Sequence, residues 1–561
     1  MESPFNKIPP ASERHEERHR SLRHRAPVLW ILIPFIGGLL AAHIAPGSIR
    51  PIWAFSGALV MLSGASCVFR RTPLWAGLFC LSVFLAGAGY YNLRQPRIGA
   101  WDTLPPREVR LQVRVQRTFT PSTDGKRISG LGRIIKTESI FEELLGQQIY
   151  FSLAKTSSDA DLVRSAEIEV RGVLQPLSHD APSNTFDGYL VNAGMNFRLN
   201  RGRILAQSAS PTRYRQFCAK TQARLASFLS VGLEKHPDLT AISRAMLLGL
   251  QQELSEQQNQ CFMNSGTMHL FSISGLHIAV IALALEGLMS LLRFPRVLRF
   301  IFSALLLWLY VDITGTAPSA VRAYGMVILL QASFVLRLPV NPLATLAFAA
   351  LVSLAVDPMQ LFSASFQMSY GIVAALLLLG LPLSEIWCDR WQLFRSLPKA
   401  TWTWWHRSLV WAHRGLLGVF AIGLSTALVS TIAGIIYFNL FTPGSLIANI
   451  VLIPLGSLVI ASGFVSMLCG MAGLVWLGAT FNHASALILL LCEQGITYFL
   501  KIRGVFWSAK FSNLHFGYAA LAILMATLLW GYSFRWSRRC GGIWPPFIVV
   551  AAAVALGVQF S

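Results

Sequence analysis

Between residues 269 and 277 the chain reads His-Leu-Phe-Ser-Ile-Ser-Gly-Leu-His, at the head of an apolar run that continues to Leu292. Imidazole beside hydroxyl is the raw material of nucleophilic catalysis, with His269 or His277 as general base and Ser272 or Ser274 as nucleophile. The same groups also suit a hydrated path. In hydrocarbon an unpaired polar or ionisable group costs on the order of 2.5 to 3.5 kcal/mol on insertion scales, so such residues face a protein interior or water. If the stretch is helical, His269, Ile273, Leu276 and His277 share one face, with Ser272 beside them. No third orienting group can be placed, and histidines on a helix are more often satisfied interior polar residues than catalysts. The polar path is therefore preferred, and no catalytic residue is assigned.

Four further polar clusters lie in or beside apolar runs: Tyr310 to Arg322, Ser363 to Ser369, Ser425 to Thr431, and Phe441 to Asn449 followed by Pro454. Together with the first they nominate His269, Ser272, Ser274, Gly275, His277, Asp312, Arg322, Gln367 and Asn449 as a channel-lining or structural polar core. Asp312 and Arg322 are close enough in sequence to pair across a helix end or hairpin. Their Gly and Pro content marks broken or re-entrant helices, tolerated at membrane depth when buried in protein or lining a cavity. The plainer alternative for any one cluster is helix-to-helix adhesion by small residues and hydrogen bonds. The eight cysteines show neither CxxC nor zinc spacing, so no metal and no cofactor is expected. A disulfide between Cys218 and Cys261 stays open if their segments lie in an oxidising compartment.

The elements that must hold these residues are membrane helices. Of 561 residues 54% are hydrophobic and 13% charged, with a mean hydropathy of +0.52, more than a soluble chain of this size tolerates. Apolar runs recur at 28–46, 52–69, 74–92, 267–292, 298–316, 320–336, 339–356, 361–382, 411–436, 443–468, 476–500, 516–534 and 543–560. The expected fold is a polytopic α-helical membrane protein of about thirteen transmembrane helices, some re-entrant, with a small extracytoplasmic β-barrel of OB-like type. The first run follows a charged tail and reads as a retained anchor rather than a cleaved signal. Arg14, Arg18, Arg20, Arg23 and Arg25, then Arg70 and Arg71, Arg293, Arg296 and Arg299, Arg337, Arg390, Arg395, Lys399 and Arg407, and Arg535, Arg538 and Arg539 all fall on one side if the spans alternate. The positive-inside rule makes that side cytoplasmic. The division is a basic cytoplasmic tail (1–27), N-terminal membrane helices (28–92), an outer β domain (93–210), juxtamembrane amphipathic helices along the membrane surface (211–266), a main membrane domain (267–535) and a C-terminal helix (536–561). Trp391, Trp402, Trp404, Trp405 and Trp411 suit interfacial anchors on the cytoplasmic side.

In the outer segment, Val109, Leu111, Val113 and Val115 alternate with Arg110, Gln112, Arg114 and Gln116, the period of a half-buried strand. Similar runs near 130–137, 147–154, 166–174 and 197–205, separated by turns such as Ser122-Thr-Asp-Gly125, make five strands, a number that suits an OB-like barrel. From Arg97 to Arg224 there are 19 Lys and Arg against 12 Asp and Glu, a mild sign of an anionic ligand or a headgroup surface, and equally compatible with an ordinary basic domain. Arg110, Arg114, Arg133, Arg198 and Arg201 are the candidate DNA contacts, with Phe151, Phe186, Tyr189 and Phe197 available either to stack bases or to fill the core.

The order Ala245 to Gly249, Phe262 to Gly266, His269 to His277, Gly315 to Arg322, Phe366-Gln-Met-Ser369 and Pro443 to Pro454 resembles the competence domain of the ComEC family of bacterial DNA-uptake proteins. The outer segment, with Phe186-Asp-Gly-Tyr-Leu190 and Asn192-Ala-Gly194, is similar to that family's N-terminal barrel. The resemblance implies an inner-membrane channel for single-stranded DNA in natural transformation, driven by a cytoplasmic ATP-dependent helicase or translocase. It is also compatible with an outer DNA receptor, a separate nuclease and a homo-oligomer. Membrane lipids are the remaining partner. Two departures stand out. Ser365 occupies a place where the family often has Gly, and no His-x-His-x-Asp-His cluster of a metallo-β-lactamase-like nuclease is found, so no nuclease activity is expected. No phosphate-loop motif is present either. The alternative is a small-molecule or lipid-linked solute transporter, which broken helices with buried charges serve equally well.

Overall fold

The computed structural model describes residues 26–560 apart from 46–49, 69–71, 95–104, 120–126, 155–161, 179–180, 183–184, 339–340, 399–400 and 538–540. The arginines of the tail, Arg70, Arg71, Lys399, Arg538, Arg539 and the Ser122–Gly125 turn lie outside the described residues.

The chain opens with three apolar helices, α1 (Leu29–Ile44), α2 (Pro51–Cys67) and α3 (Pro73–Arg94). It then forms β1 (Arg107–Thr118), β2 (Arg127–Thr137), β3 (Gln148–Ala154), β4 (Glu167–Pro176), the short α4 (Phe186–Asn192) and β5 (Phe197–Ala209). These strands close a barrel in the order β1-β2-β3-β5-β4, with β3 and β5 parallel and the other pairs antiparallel. The five strands expected from the alternation are present within a few residues of their predicted limits. Val109, Leu111, Val113 and Val115 point inward with Ile149, Phe151, Ile168, Val170 and Leu199. Gly130 and Gly132 make room for the Phe151 ring: a Cβ at Gly130 would lie 2.7 Å from it. Phe151 and Phe197 thus fill the core, whereas Phe186 and Tyr189 remain exposed on α4.

Beyond the barrel come α5 (Arg213–Ser230), α6 (Pro237–Leu248), α7 (Glu256–Asn264), α8 (Gly275–Leu291), α9 (Arg296–Ile313), α10 (Pro318–Val335), α11 (Pro342–Val356), α12 (Ala364–Ala375) and α13 (Leu381–Arg390). The chain closes with α14 (Trp404–Phe438), β6 (Leu440–Phe441), α15 (Ser445–Met471), α16 (Val475–Phe499), β7 (Trp507–Phe511), α17 (Leu514–Ser533), α18 (Pro545–Gly557) and β8 (Val558–Phe560). Proline opens α2, α3, α6, α10, α11 and α18, where its missing N–H has no intrahelical partner to lose. Each of the thirteen apolar runs holds a helix. Among the described residues eight stretches are long and apolar enough to cross a membrane, so the chain is a mostly helical, polytopic membrane protein.

The helices pack around two apolar cores. One joins α5 to α9, the first turns of α10, α15 and α16; the other joins α1, α3, α11 to α14, α17 and α18. The middle of α10 bridges them, with Ala320 and Ala323 in the first core and Met326 and Leu329 against the second. A three-stranded sheet, β6-β7-β8, ties together the ends of α14 and α18 and the α16–α17 connection. One expectation fails here. The α6 segment was expected to be a one-faced surface helix, but Leu239 to Ser243 and Ala245 to Leu248 are all buried. The reason is close approach by α15: a Cβ at Gly463 would fall 2.2 Å from Leu247 Cδ1. Polar Thr240 spends its hydroxyl on the His236 carbonyl within the helix.

Candidate functional site

The His269–His277 stretch is not one helical face. After α7 the chain turns at Gly266 (φ +69°), makes a single 3₁₀ turn over Met268–Leu270, bends at Phe271 and Ser272, and enters α8 only at Gly275. Ser274 is the cause, since its extended backbone (φ −123°, ψ 177°) starts a new helix there. Its N–H donates to His277 Nδ1 at 3.2 Å and its hydroxyl lies 3.0 Å from the same nitrogen. His277 therefore takes the place of the Glu or Gln in a capping box. The broken segment is pinned by a Phe262–Phe271 stack (3.7 Å between centroids) and by the Ser319 hydroxyl, which donates to the Ile273 carbonyl at 2.9 Å. At Gly266 a Cβ would come within 2.7 Å of Ser445 Cβ, in a backbone region that already disfavours side chains. Gly266→Ala is accordingly expected to lower the thermal midpoint of the purified chain by several degrees, readable by scanning fluorimetry.

The Ser274–His277 contact resembles a catalytic dyad, yet the protein contains its own control. Thr403 and His406 make the same pair of contacts, 3.3 Å from the N–H and 2.6 Å from the hydroxyl, at the exposed start of α14. The motif is a helix cap. An imidazole that accepts at Nδ1 carries its proton on Nε2. In His277 that atom is buried and has no hydrogen-bond partner among the described residues, so none of them orients the ring as a third group. His277 is fully buried, Ser272 and Ser274 are half-buried, and His269 and Gly275 are exposed.

The expected Asp312–Arg322 pair does not form. Arg322, 5% exposed, instead reaches α12, where its Nη2 donates to the Ser365 carbonyl at 2.7 Å and to the Ser365 hydroxyl at 2.6 Å. Its Nε is buried without a partner. The Ser365 hydroxyl thus supplies half of this clamp. Asp312 lies at the other side of the hairpin and binds Tyr214 and Arg215 of α5 instead. Ten residues of sequence separation placed the two charges near one another, but the α9 end and the second turn of α10 face different neighbours. Gln367 belongs to a third group, donating to the Leu361 carbonyl at 3.0 Å and accepting from Tyr437 Oη at 2.8 Å. Asn449 sits on α15, which packs along α8, with its Oδ1 buried and unpartnered. The structure thus brings the 269–277 segment against the start of α10, with Ala323 3.7 Å from where a Gly275 Cβ would lie. It leaves Asp312 and Gln367 elsewhere.

On the barrel, three of the five candidate arginines, Arg110, Arg114 and Arg198, are already paired with carboxylates. Arg110 pairs with Glu169, and Arg114 with Glu167 at 2.7 Å, along the β1–β4 ladder where Arg171 also meets Glu108. Arg133 donates to the Gly146 carbonyl. Arg198 binds Asp187 at 3.2 Å and lies over the Tyr150 ring, and Arg201 occupies a left-handed position in β5 (φ +51°). A different surface has stacking chemistry. Phe119, Tyr150, Phe186 and Tyr189 form a continuous series of ring contacts, with Arg117 over Phe119 and Arg198 over Tyr150. Its α4 end packs against Pro358–Phe362, so the strip runs towards the helical bundle. Alternation could not reveal it, since Phe119 and Tyr150 become neighbours only through the β1-β2-β3 pairing. Cys218 and Cys261 do not pair with one another, and both are free among the described residues.

A family model described as Competence protein matches residues 246–537, just over half of the chain. ComE operon protein 3 of Bacillus subtilis (strain 168) is 27% identical over 212 residues, which make up 37% of this chain and 27% of that relative. The match therefore spans about a quarter of the relative's length. No solved structure matches.

Proposed function

The chain belongs to the competence-protein family, and on that premise we propose that it conducts single-stranded DNA across a bacterial cytoplasmic membrane during transformation. The observation that carries this reading is the broken segment before α8, where Gly275 packs beside Ala323 of α10 and where, among the described residues, two buried donors, His277 Nε2 and Arg322 Nε, have no partner. Donors left free at such depth suit a guest that brings its own acceptors, as a phosphodiester does. In this reading the apolar runs make about thirteen crossings and the barrel faces outward. Support for the orientation comes from α9: Arg296 and Arg299 open it, and Asp312, which touches the barrel-side helix α5, closes it roughly 24 Å away. Strand transfer requires no chemistry from the protein itself, and the pull comes from a separate ATP-driven helicase or translocase.

The test is direct. A strain deleted for this gene should lose nuclease-protected, labelled DNA from its cytoplasm and regain it when the chain is restored; protected DNA at the normal level in the deletion strain would refute the proposal. Base stacking on aromatic rings contributes about 1 to 3 kcal/mol per base. The double variant Phe186→Ala/Tyr189→Ala should therefore weaken oligonucleotide binding by the full chain at least about tenfold. Arg110→Gln/Arg114→Gln, which breaks only internal ion pairs, should change it less than about threefold. Fluorescence anisotropy at two salt concentrations checks both.

A further inference from the structure

Where the barrel meets the bundle, one carboxylate serves two guanidiniums. Asp312, 3% exposed, accepts from Tyr214 Oη and from Arg215 Nη1, each at 2.8 Å. Arg164, from the β3–β4 connection of the barrel, comes only to 3.6 Å of the same carboxylate and donates to the Thr316 hydroxyl. Three parts of the chain meet here: a barrel loop, the first turn of α5 and the α9–α10 hairpin. The carboxylate lies at the bottom and the guanidiniums at the mouth, Arg164 being 37% and Arg215 21% exposed. The cluster keeps one positive charge in surplus, and the N-terminus of the 18-residue α5 adds to it. Burial and the adjacent Arg215 hold Arg164 below its ordinary basicity.

We propose that Arg164 and Arg215 form an exchangeable anion site that takes a phosphodiester group of single-stranded DNA, with Arg164 leaving both Asp312 and the Thr316 hydroxyl for the phosphate and freeing the barrel loop from the α9–α10 hairpin. The proposal rests on the DNA-conducting reading. Guanidinium binds phosphate with two parallel hydrogen bonds, whereas the Arg164–Asp312 contact is longer than a hydrogen bond. Asp312 is not orphaned by the exchange, because Tyr214 and Arg215 stay with it. The freed hairpin is the one that carries Arg322, and its Thr314 carbonyl lies beside Gly249, itself packed on Ile273 of the broken segment. Loading of the barrel is thereby linked to the interior path.

Cys218 is a built-in reporter. It sits one turn after Tyr214, is 5% exposed, and burial pushes its thiol above the ordinary range, so it alkylates slowly while the cluster is closed. The experiment follows maleimide labelling of Cys218 by peptide mass spectrometry, with the full chain in phosphatidylcholine nanodiscs and in discs containing phosphatidylglycerol. Oligothymidylate of roughly 20 nucleotides is added or omitted, and its binding is followed by anisotropy. The expected result is labelling about threefold faster or more when oligonucleotide binds in phosphatidylcholine discs, with Arg164→Gln fast throughout and unresponsive. Binding without any change in Cys218 labelling overturns the exchange while leaving the conducting reading intact. Acceleration by phosphatidylglycerol alone, with no further effect of DNA, overturns it in favour of a lipid headgroup. Failure of the wild-type chain to bind oligonucleotide at all removes both.

Discussion

Arg322→Ala is expected to reduce transformant recovery by about a hundredfold or more while the protein reaches the membrane at its normal level. The guanidinium is buried and held at one end by the carbonyl and hydroxyl of Ser365. Its Nε is left free. Hydrogen bonds to a charged group contribute about 1.5 to 3 kcal/mol each, and about 2.7 kcal/mol corresponds to a hundredfold change. Lysine in its place keeps the charge but lacks the planar fork that holds Ser365 on one nitrogen and aims Nε at a second acceptor. Arg322→Lys should therefore remain defective, and Ser365→Gly, which leaves the carbonyl, should be the mildest of the three. Transformant counts beside an immunoblot of the membrane fraction decide the matter. Normal recovery with Arg322→Ala would remove this residue from the path.

Asp312→Ala is expected to destabilise the purified chain by about 1.5 to 3 kcal/mol, because it removes a charged acceptor from Tyr214 and Arg215 while the partly exposed guanidiniums left behind are screened by solvent. Arg215 suffers most: it lies 2.8 Å from the carboxylate and is only 21% exposed. Tyr214, whose phenol is pushed up by burial and by its bond to Asp312, loses its acceptor as well. Asp312→Asn should fall between, since the amide oxygen still accepts from one donor. Adding Arg164→Gln to Asp312→Ala should return part of the loss, the sign of a coupled pair. Thermal unfolding in detergent provides the readout, and a midpoint within about one degree of wild type for Asp312→Ala would show that the cluster does not hold the hairpin.

The barrel was legible because a strand's period of two is short enough to survive in local sequence: Val109, Leu111, Val113 and Val115 point inward as their alternation requires. The helical runs were legible for a similar reason, since length and apolarity are summed within one segment. What failed was partner choice. Asp312 was matched with the nearest basic residue, but its partners Tyr214 and Arg215 come from 98 and 97 residues earlier. Arg110 and Arg114 looked free until β1 was paired with β4 and brought Glu169 and Glu167 alongside. The stripe from His269 to His277 assumed a helix through Ser274, and a single side-chain cap was enough to end it there. The Asp312–Arg322 pairing failed because hydrogen bonds are settled by tertiary approach and not by distance along the chain.

The small sheet of β6, β7 and β8 gives the two cores a mechanical relation. β6 follows α14 and β8 follows α18, both of the second core, while β7 lies on the connection that leaves α16 of the first. Gly444 donates to the Val505 carbonyl beside it, and the Gly266 turn rests on Thr442 and Ser445, so this sheet sits at the same end as the break before α8. Backbone ladders are short and directional and yield less readily than sliding apolar faces. The two cores are therefore joined twice, by side chains along α10 and by a backbone ladder at the end where the chain breaks.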